Sequence, residues 1–194
     1  QWAPLDQDYM NVAADVTAAS YAARWADDGT KIYVAIRVRD TNHTFSDGYS
    51  SWNGQDCVEI YLHTTGIDGI EYNASQEKAQ QYVIGFNPAG AGVWTAMGNT
   101  QAVPARAGFE AAGTLGADGW LYYEAALTPF ASFGAFTGGS DVVSTLHVDD
   151  VIGLDVIVDS RDGDAFAMRS ENMLDGKWNN YMQFGLHRLI AGPV

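Results

Sequence analysis

The sequence predicts an all-β fold, an antiparallel β-sandwich whose two sheets follow a jelly-roll or immunoglobulin-like architecture. Apolar and polar residues alternate with a period of two over much of the chain, which is the pattern of half-buried strands. Short turns rich in Gly, Asp and Asn separate these runs, and no segment carries a long apolar stripe with a period of 3.6 residues. With 194 residues and no repeat or linker-like segment, residues 1–194 are expected to form a single domain.

Four long alternating segments define the main strands. In residues 31–40, isoleucine or valine at every even position from 32 to 38 lies opposite tyrosine, alanine and arginine. Val58, Ile60 and Leu62 lie opposite Glu59, Tyr61 and His63, and the segments 120–127 and 152–159 alternate in the same way. Shorter strands are expected at 22–26, 81–86, 108–115 and 181–189, and short helical turns at 129–133 and 141–150.

Turn chemistry separates the expected strands. Asp27-Asp28-Gly29 follows the first short run, and Asp118-Gly119 stands between two alternating segments. Asp-Gly between two such segments is a strong signal for a β-hairpin, because glycine adopts a positive φ at no steric cost. The turns therefore support short antiparallel connections.

The charge balance excludes several classes of partner. The chain has 24 acidic and 10 basic side chains, a net charge of −14 and a pI near 4.3, which opposes binding to nucleic acid or to anionic membranes. The sequence contains no run of about 18 apolar residues, which a membrane-spanning helix would need, so membrane insertion is not expected. A neutral ligand, a cation and a basic protein stay open as partners.

The single cysteine, Cys57, lies in a strand pattern and is expected to be a buried, inert thiol. An acidic composition rich in Trp, Tyr and Gly suits a secreted or cell-surface bacterial module.

Two tryptophans lie in polar loops. Trp52 and Trp178 each stand among Asn, Asp, Gly and Ser or Lys residues, whereas most tryptophans are buried for structural reasons. Loops carry binding function more often than strands do. Sugar rings pack a C–H face on flat aromatic rings and need Asn, Asp, Glu or Gln partners for their hydroxyls. The two loops supply that combination.

An acidic turn offers a candidate metal site. Asp159, Asp162 and Asp164 lie within six residues around Gly163, and carboxylate oxygens are the ligands that Ca²⁺ prefers. The spacing is not that of an EF-hand. A solvated turn in an acidic protein is the competing interpretation, and it is slightly favoured by the sequence alone.

Catalytic motifs are absent from the sequence. There is no nucleophile elbow, P-loop, zinc-binding His-Glu pattern or dinucleotide fingerprint. Glu59 and Glu124 are a formal candidate for a glycosidase carboxylate pair, but both lie within expected strands. The chain is therefore not expected to be an enzyme, and any activity would reside in a partner domain.

The order of motifs resembles that of family 9 carbohydrate-binding modules. Residues 22–40, with Trp25-Ala26-Asp27-Asp28 before the first long strand, resemble the family's opening motif. Four further segments resemble its later motifs in the same order, namely 52–62, 119–127, 152–159 and 184–189. The resemblance covers nearly the whole chain.

The resemblance implies a function and a site. Family members bind the end of a glycan chain and place the terminal sugar between two tryptophans, the positions that Trp52 and Trp178 match. Glu59 matches a hydrogen-bonding glutamate, and Asp175 falls where sugar-binding members carry Asn. Gln81 and Asn179 add amide groups to this expected site. The family also implies structural Ca²⁺, an oligo- or polysaccharide partner and a possible fused catalytic domain.

Two departures from the family pattern favour an alternative without sugar binding. Val83 stands where sugar-binding members carry Arg, and Ile157 stands where they carry Gln. A structural or adhesion domain without sugar binding therefore stays open. A second alternative is a b-type haem electron-transfer domain of the related cytochrome sandwich fold, whose axial ligands would come from Met168, Met173, Met182, His147 and His187.

Overall fold

The computed structural model describes residues 1–45, 54–64, 79–89, 92–97, 108–133, 141–162, 165–171 and 185–191, with the backbone alone at 92–97, 162 and 166. The secondary structure of these residues consists of strands and turns, with no helix among them. The strands are β1 (Ala3–Pro4), β2 (Gln7–Tyr9), β3 (Val16–Trp25), β4 (Ile32–Asp40), β5 (Cys57–His63), β6 (Ala79–Asn87), β7 (Gly92–Met97), β8 (Phe109–Leu115), β9 (Leu121–Leu127), β10 (Phe130–Ser132), β11 (Val142–Val143), β12 (Val151–Asp162), β13 (Ala165–Ser170) and β14 (Leu186–Arg188).

Two antiparallel sheets pack as a sandwich. One has five strands in the order β1-β3-β4-β9-β8, and the other has the order β2-β13-β12-β5-β6-β7, with β14 also paired to β12. β12 is the central strand of the larger sheet. It pairs with β5 along one edge, and with β14 and then β13 along the other. The predicted antiparallel sandwich is confirmed.

The core lies between the sheets and contains the residues that alternation assigned to it. The isoleucine and valine side chains of β4 at 32, 34, 36 and 38 are 1–2% exposed. Val58, Ile60 and Leu62 of β5 join the same core cluster. Burial of an aliphatic side chain contributes about 1.5–3 kcal/mol, so these two strands hold the layers together. Gln80 of β6 links the larger sheet to the segment that follows β9. Its Nε2 donates to Thr128 O, and its Oε1 accepts from Phe130 N.

Two local expectations are corrected by the structure. The helical turns expected at 129–133 and 141–150 are wrong for the described residues, which instead form the short pair β10 and β11 and a turn at 148–149. The side chains Glu59, Tyr61 and His63, expected on the polar face of their strand, are 0–3% exposed. Both faces of β5 are therefore buried.

The Asp118-Gly119 hairpin is confirmed. Gly119 has φ +78°, and its N–H donates to Gly116 O over 3.0 Å. Asp118 accepts hydrogen bonds from Trp120 N and the Tyr122 hydroxyl, which lower the pKa of its carboxyl. This turn fixes the register between β8 and β9.

Candidate functional site

The second face of the larger sheet is polar and buried. It is the side of β5, β6, β12 and β13 that points away from the core, and most of its polar groups are 0–4% exposed. Buried polar groups are usually hydrogen-bonded, and several side chains of this face bond one another. Its polar members are Cys57, Glu59, Tyr61, His63, Gln81, Asp155, Asp159 and Ser170.

Glu59 lies at the centre of this face. Its register partner on β6 is Val83 and its register partner on β12 is Ile157. These are the two positions at which the sequence departs from the family pattern, so the structure brings both departures to the flanks of one carboxylate. Ile157 in turn pairs with Ser170 of β13. We call this line of register partners across the four strands the Glu59 rung. A polar side chain at either flank would lie within reach of Glu59.

Glu59 finds its hydrogen-bond partners on the next rung. Tyr61 donates its hydroxyl proton to Glu59 Oε2, and Gln81 Nε2 donates to the same oxygen over 3.1 Å. Gln81 Nε2 also lies 2.9 Å from the Tyr61 hydroxyl oxygen. Three side chains thus form a closed triangle between β5 and β6. Sequence analysis missed Tyr61, although the two-residue period places it on the same face as Glu59.

A second carboxyl, Asp159 on β12, interacts with Glu59. Burial raises the pKa of Asp159 well above its usual range, and the charge of Glu59 raises it further. Burial also raises the pKa of Glu59, while hydrogen bonds from Tyr61, Gln81 and Asp159 oppose the rise. Two adjacent buried carboxyls repel each other when both are ionised. The raised pKa of Asp159 therefore favours its protonated form in the folded protein.

Cys57 completes this acid cluster. Its Sγ lies 3.2 Å from Asp159 Oδ2, to which it donates. Burial, followed by the charges of Asp159 and Glu59, raises the pKa of the thiol well above its normal value. The thiolate is the reactive form of cysteine. The expected burial of Cys57 is confirmed, and its inertness stays a prediction that the raised pKa supports.

The structure brings together two of the six predicted sugar-binding residues. Glu59 and Gln81 are in contact, and each is 3% exposed. The other four, Trp52, Asp175, Trp178 and Asn179, lie outside the described residues. Their stacking and hydrogen-bonding roles stay predictions.

The three aspartates predicted to form one acidic turn do not all lie in that turn. Asp159 lies within β12, fully buried beside Cys57 and Glu59, rather than in the turn. Asp162 ends β12, and its side chain, like the whole of Asp164, is outside the described part of the chain. The Ca²⁺ site stays a prediction for the turn itself.

A different set of ligand atoms meets at the end of β4. Asp40, His43 and Asp56 place one nitrogen and two carboxylate oxygens within 4.8 Å of one another. Asp56 already accepts from His43 Nδ1 over 2.9 Å, from Thr44 N over 2.6 Å and from Arg161 N. These bonds tie the segment after β4 to β5 and β12. The sequence spacing of 40, 43 and 56 did not indicate this cluster.

The structure separates the candidate glycosidase pair. Glu59 lies on the outer side of the larger sheet, whereas Glu124 on β9 pairs with Ala35 on the outer side of the smaller sheet. The two carboxylates are on opposite sides of the sandwich. A glycosidase needs its carboxylates on either side of one bond. This pair is not assembled.

The candidate haem ligands are also separated where the structure describes them. Met168 pairs with Asp159 and lies on the buried polar face. His187 pairs with Ile152 and lies on the core side of the same sheet, where its Nε2 is 3.1 Å from Leu154 O. His147 is an exposed side chain in a turn. Met173 and Met182 lie outside the described residues.

Solved structures share this sandwich. The family 9 carbohydrate-binding module of Caldicellulosiruptor kristjanssonii in complex with cellotriose has a TM-score of 0.71 and 19% identity, over 100% of this chain and 84% of that one. The same organism's family 9 module in complex with glucose has a TM-score of 0.70 and 19% identity, over 100% and 85%. A putative carbohydrate-binding protein from Bacteroides uniformis ATCC 8492 has a TM-score of 0.52 and 14% identity, over 88% and 76%. These similarities establish the fold as a two-sheet sandwich of this class.

The family assignment comes from the sequence. A model described as "Carbohydrate family 9 binding domain-like" matches residues 1–191, nearly the whole chain. The chain therefore belongs to this family. No curated protein sequence is significantly similar to it. Within the described residues, no helix is long and apolar enough to cross a membrane.

Proposed function

We propose that this chain is a non-catalytic carbohydrate-binding module that holds a terminal sugar of a glycan between Trp52 and Trp178. Membership of the family 9 binding domains supports the ligand class. Structural relatives with the same fold were solved with glucose and with cellotriose. Glu59 and Gln81, with Asp175 and Asn179 from the sequence, supply hydrogen-bonding groups for the sugar hydroxyls.

The single observation that carries this proposal is the position of the Glu59 rung. Residue 52 lies two positions before the described segment that leads into β5, the strand of Glu59. The segment with Trp178 begins just after Ser170, which closes the same rung through Ile157. Both tryptophan segments are thus covalently attached to the strands that surround Glu59.

The test uses isothermal titration calorimetry with glucose and cellotriose. We expect Trp52→Ala and Trp178→Ala each to weaken binding by about 1–3 kcal/mol, the scale of an aromatic stacking contact. Trp120→Ala is the matched control, because Trp120 lies beside β9 on the other sheet and stacks on Arg37. Binding that survives both loop substitutions with the affinity of the control would exclude this site.

Gln81→Ala should weaken binding less than the loss of either tryptophan. Gln81 is 3% exposed and already donates to Glu59 and Tyr61 inside the protein. A loss as large as that of Trp178→Ala would show that the sugar contact of Gln81 contributes as much to binding as a stacking tryptophan.

We also propose that the domain is exported and binds Ca²⁺ at the turn of Asp162 and Asp164. An isolated acidic turn gains stability when a cation neutralises it. Addition of Ca²⁺ to chelator-treated protein should raise Tm, and Asp164→Asn should reduce that gain. An unchanged Tm in the parent protein would remove the metal from the proposal.

A further inference from the structure

The outer face of the five-stranded sheet carries a depression of about 590 Å³. It crosses β3, β4, β9 and β8, so it runs perpendicular to the strands. Its floor is made of small apolar side chains, and its walls carry one tyrosine and three charged groups. The floor residues are Ala22, Ala35, Ala112 and Ala126.

One half of this outer face is occupied by the protein's own contacts. The guanidinium of Arg37 lies 4.5 Å from the ring centre of Trp2 and 4.9 Å from that of Trp120. Arg37 Nε donates to Ser20 Oγ over 2.8 Å. Arg39 donates to Asp118 O over 2.9 Å. The aromatic and cationic groups at this end are therefore already paired.

The other half has unused hydrogen-bonding capacity. Arg24, Tyr33, Glu110 and Glu124 are all exposed, and Tyr33 is 44% exposed. Their side chains make no hydrogen bond or ion pair with any residue that the structure describes. The register places Arg24, Tyr33, Ala126 and Glu110 on one rung, with Glu124 on the next. Five hydrogen-bond donors of arginine and four carboxylate oxygens thus border one apolar floor.

We propose that this groove is a second carbohydrate site, which binds a neutral oligosaccharide laid across the strands. The two carboxylates oppose an anionic ligand, and Arg24 at the same edge opposes a cationic one. A neutral polyhydroxylated chain supplies both donors and acceptors to these groups. Its C–H faces suit the exposed ring of Tyr33 and the alanine floor. The choice of ligand class rests on the proposed function, whereas the site itself shares no residue with it.

The groove has room for several sugar units. Neighbouring strands lie about 4.8 Å apart, so β3 and β8 are about 14 Å apart across two intervening strands. The volume falls within the range of small-molecule sites, about 300–1,000 Å³. A hexasaccharide should therefore bind this groove more tightly than a monosaccharide.

The experiment is an NMR titration of ¹⁵N-labelled protein with cellohexaose, xylohexaose and laminarihexaose. It is run on the parent protein and on a Trp52→Ala/Trp178→Ala double variant. We expect at least one hexasaccharide to shift amide signals of β4, β8 and β9 in both proteins. Persistence of these shifts in the double variant separates this groove from the tryptophan site.

Two substitutions test the groove by different means. Tyr33→Ala removes the exposed ring, and Ala35→Leu fills the floor without removing a polar group. Each should lower the association constant at the groove by roughly tenfold, the effect expected for one stacking contact. Val151→Ala, at a 38% exposed position on the other sheet, is the control and should leave the constant unchanged. Amide dispersion confirms that each variant is folded.

Three outcomes would overturn the proposal. The first is the absence of shifts on β4, β8 and β9 up to roughly 10 mM hexasaccharide, above the millimolar range of weak binding, whatever happens at β5 and β6. The second is shifts that neither Tyr33→Ala nor Ala35→Leu reduces. The third is a response of the same amides to a lysine-rich hexapeptide but to no hexasaccharide, which would assign the groove to a protein partner. Failure of the tryptophan site alone would leave the groove signals in place.

Discussion

Replacement of Asp159 by Asn should stabilise the protein at neutral pH and leave it nearly unchanged at pH 4. The structure holds Asp159 fully buried, and this burial raises the pKa of its carboxyl well above the usual range. An unfolded chain releases this proton at a pKa of about 3.9. The parent protein therefore loses stability as pH rises from about 4 toward the raised folded pKa. Asn imitates the protonated acid, because it is neutral, has nearly the same shape and can accept from Cys57 through its carbonyl oxygen.

The magnitude follows from the linkage between proton binding and folding. Each pH unit between the unfolded and folded pKa values changes the free energy of unfolding by about 1.4 kcal/mol. The difference between Asp159→Asn and the parent protein should grow with that slope and level off at the folded pKa. Between pH 4 and pH 7 it should amount to at most about 4 kcal/mol.

Urea unfolding, followed by tryptophan fluorescence from pH 4 to pH 8 with a chelator present, measures this difference. Glu59→Ala is the matched comparison. It removes the oxygen that accepts from both Tyr61 and Gln81, and we expect a loss of about 1–3 kcal/mol because two buried donors lose their shared acceptor. If Asp159→Asn destabilised the protein equally at pH 4 and pH 8, Asp159 would be ionised in the folded state. Protonation of Asp159 in the folded state would then be excluded.

Three further predictions concern packing and reactivity. Gly153→Ala should lower the free energy of unfolding by about 1–3 kcal/mol, because its new Cβ would lie 2.1 Å from His63 Nε2; an unchanged urea midpoint would contradict this. Ile36→Ala, at a position 1% exposed, should cost about 2–5 kcal/mol in the same assay, and a loss under 1 kcal/mol would show that the core collapses around it. Cys57 should react with a thiol reagent such as DTNB only after unfolding, and rapid labelling of the native protein would refute its burial.

The fold was predictable because its strands alternate cleanly. In β4 the apolar side chains at even positions face the core, and the sequence alone assigned them correctly. Alternation failed to predict the burial of Glu59 and Tyr61, because it indicates which face is apolar and not whether a polar face is covered. Residues 129–133 were mistaken for a helical turn because a three-residue strand such as β10 is too short to show a period.

The site was predictable only in part, because some of its interacting residues are far apart in the sequence. Glu59 and Gln81 were found through a resemblance of local motifs, each carried by one strand. The electrostatic interaction of Glu59 with Asp159 joins positions 100 residues apart, and it depends on β12 lying beside β5 in a fixed register. Local patterns contain no signal for such a neighbour. The flanking of Glu59 by Val83 and Ile157 likewise became visible only from the sheet order.

The placement of β12 at the centre of the larger sheet also sets an order of folding during synthesis. Every strand of the five-stranded sheet has been made once residue 127 has emerged, but β5 must wait for residues 153–159 to cover its second edge. Until then the nascent chain presents an unpaired strand edge with buried-type residues beside it, which is a template for aggregation. Pairing of β2 with β13 adds contacts between residues about 160 positions apart, and such long-range pairing slows folding to milliseconds or longer. The larger sheet therefore cannot be completed until residues 153–159 have emerged and paired with β5.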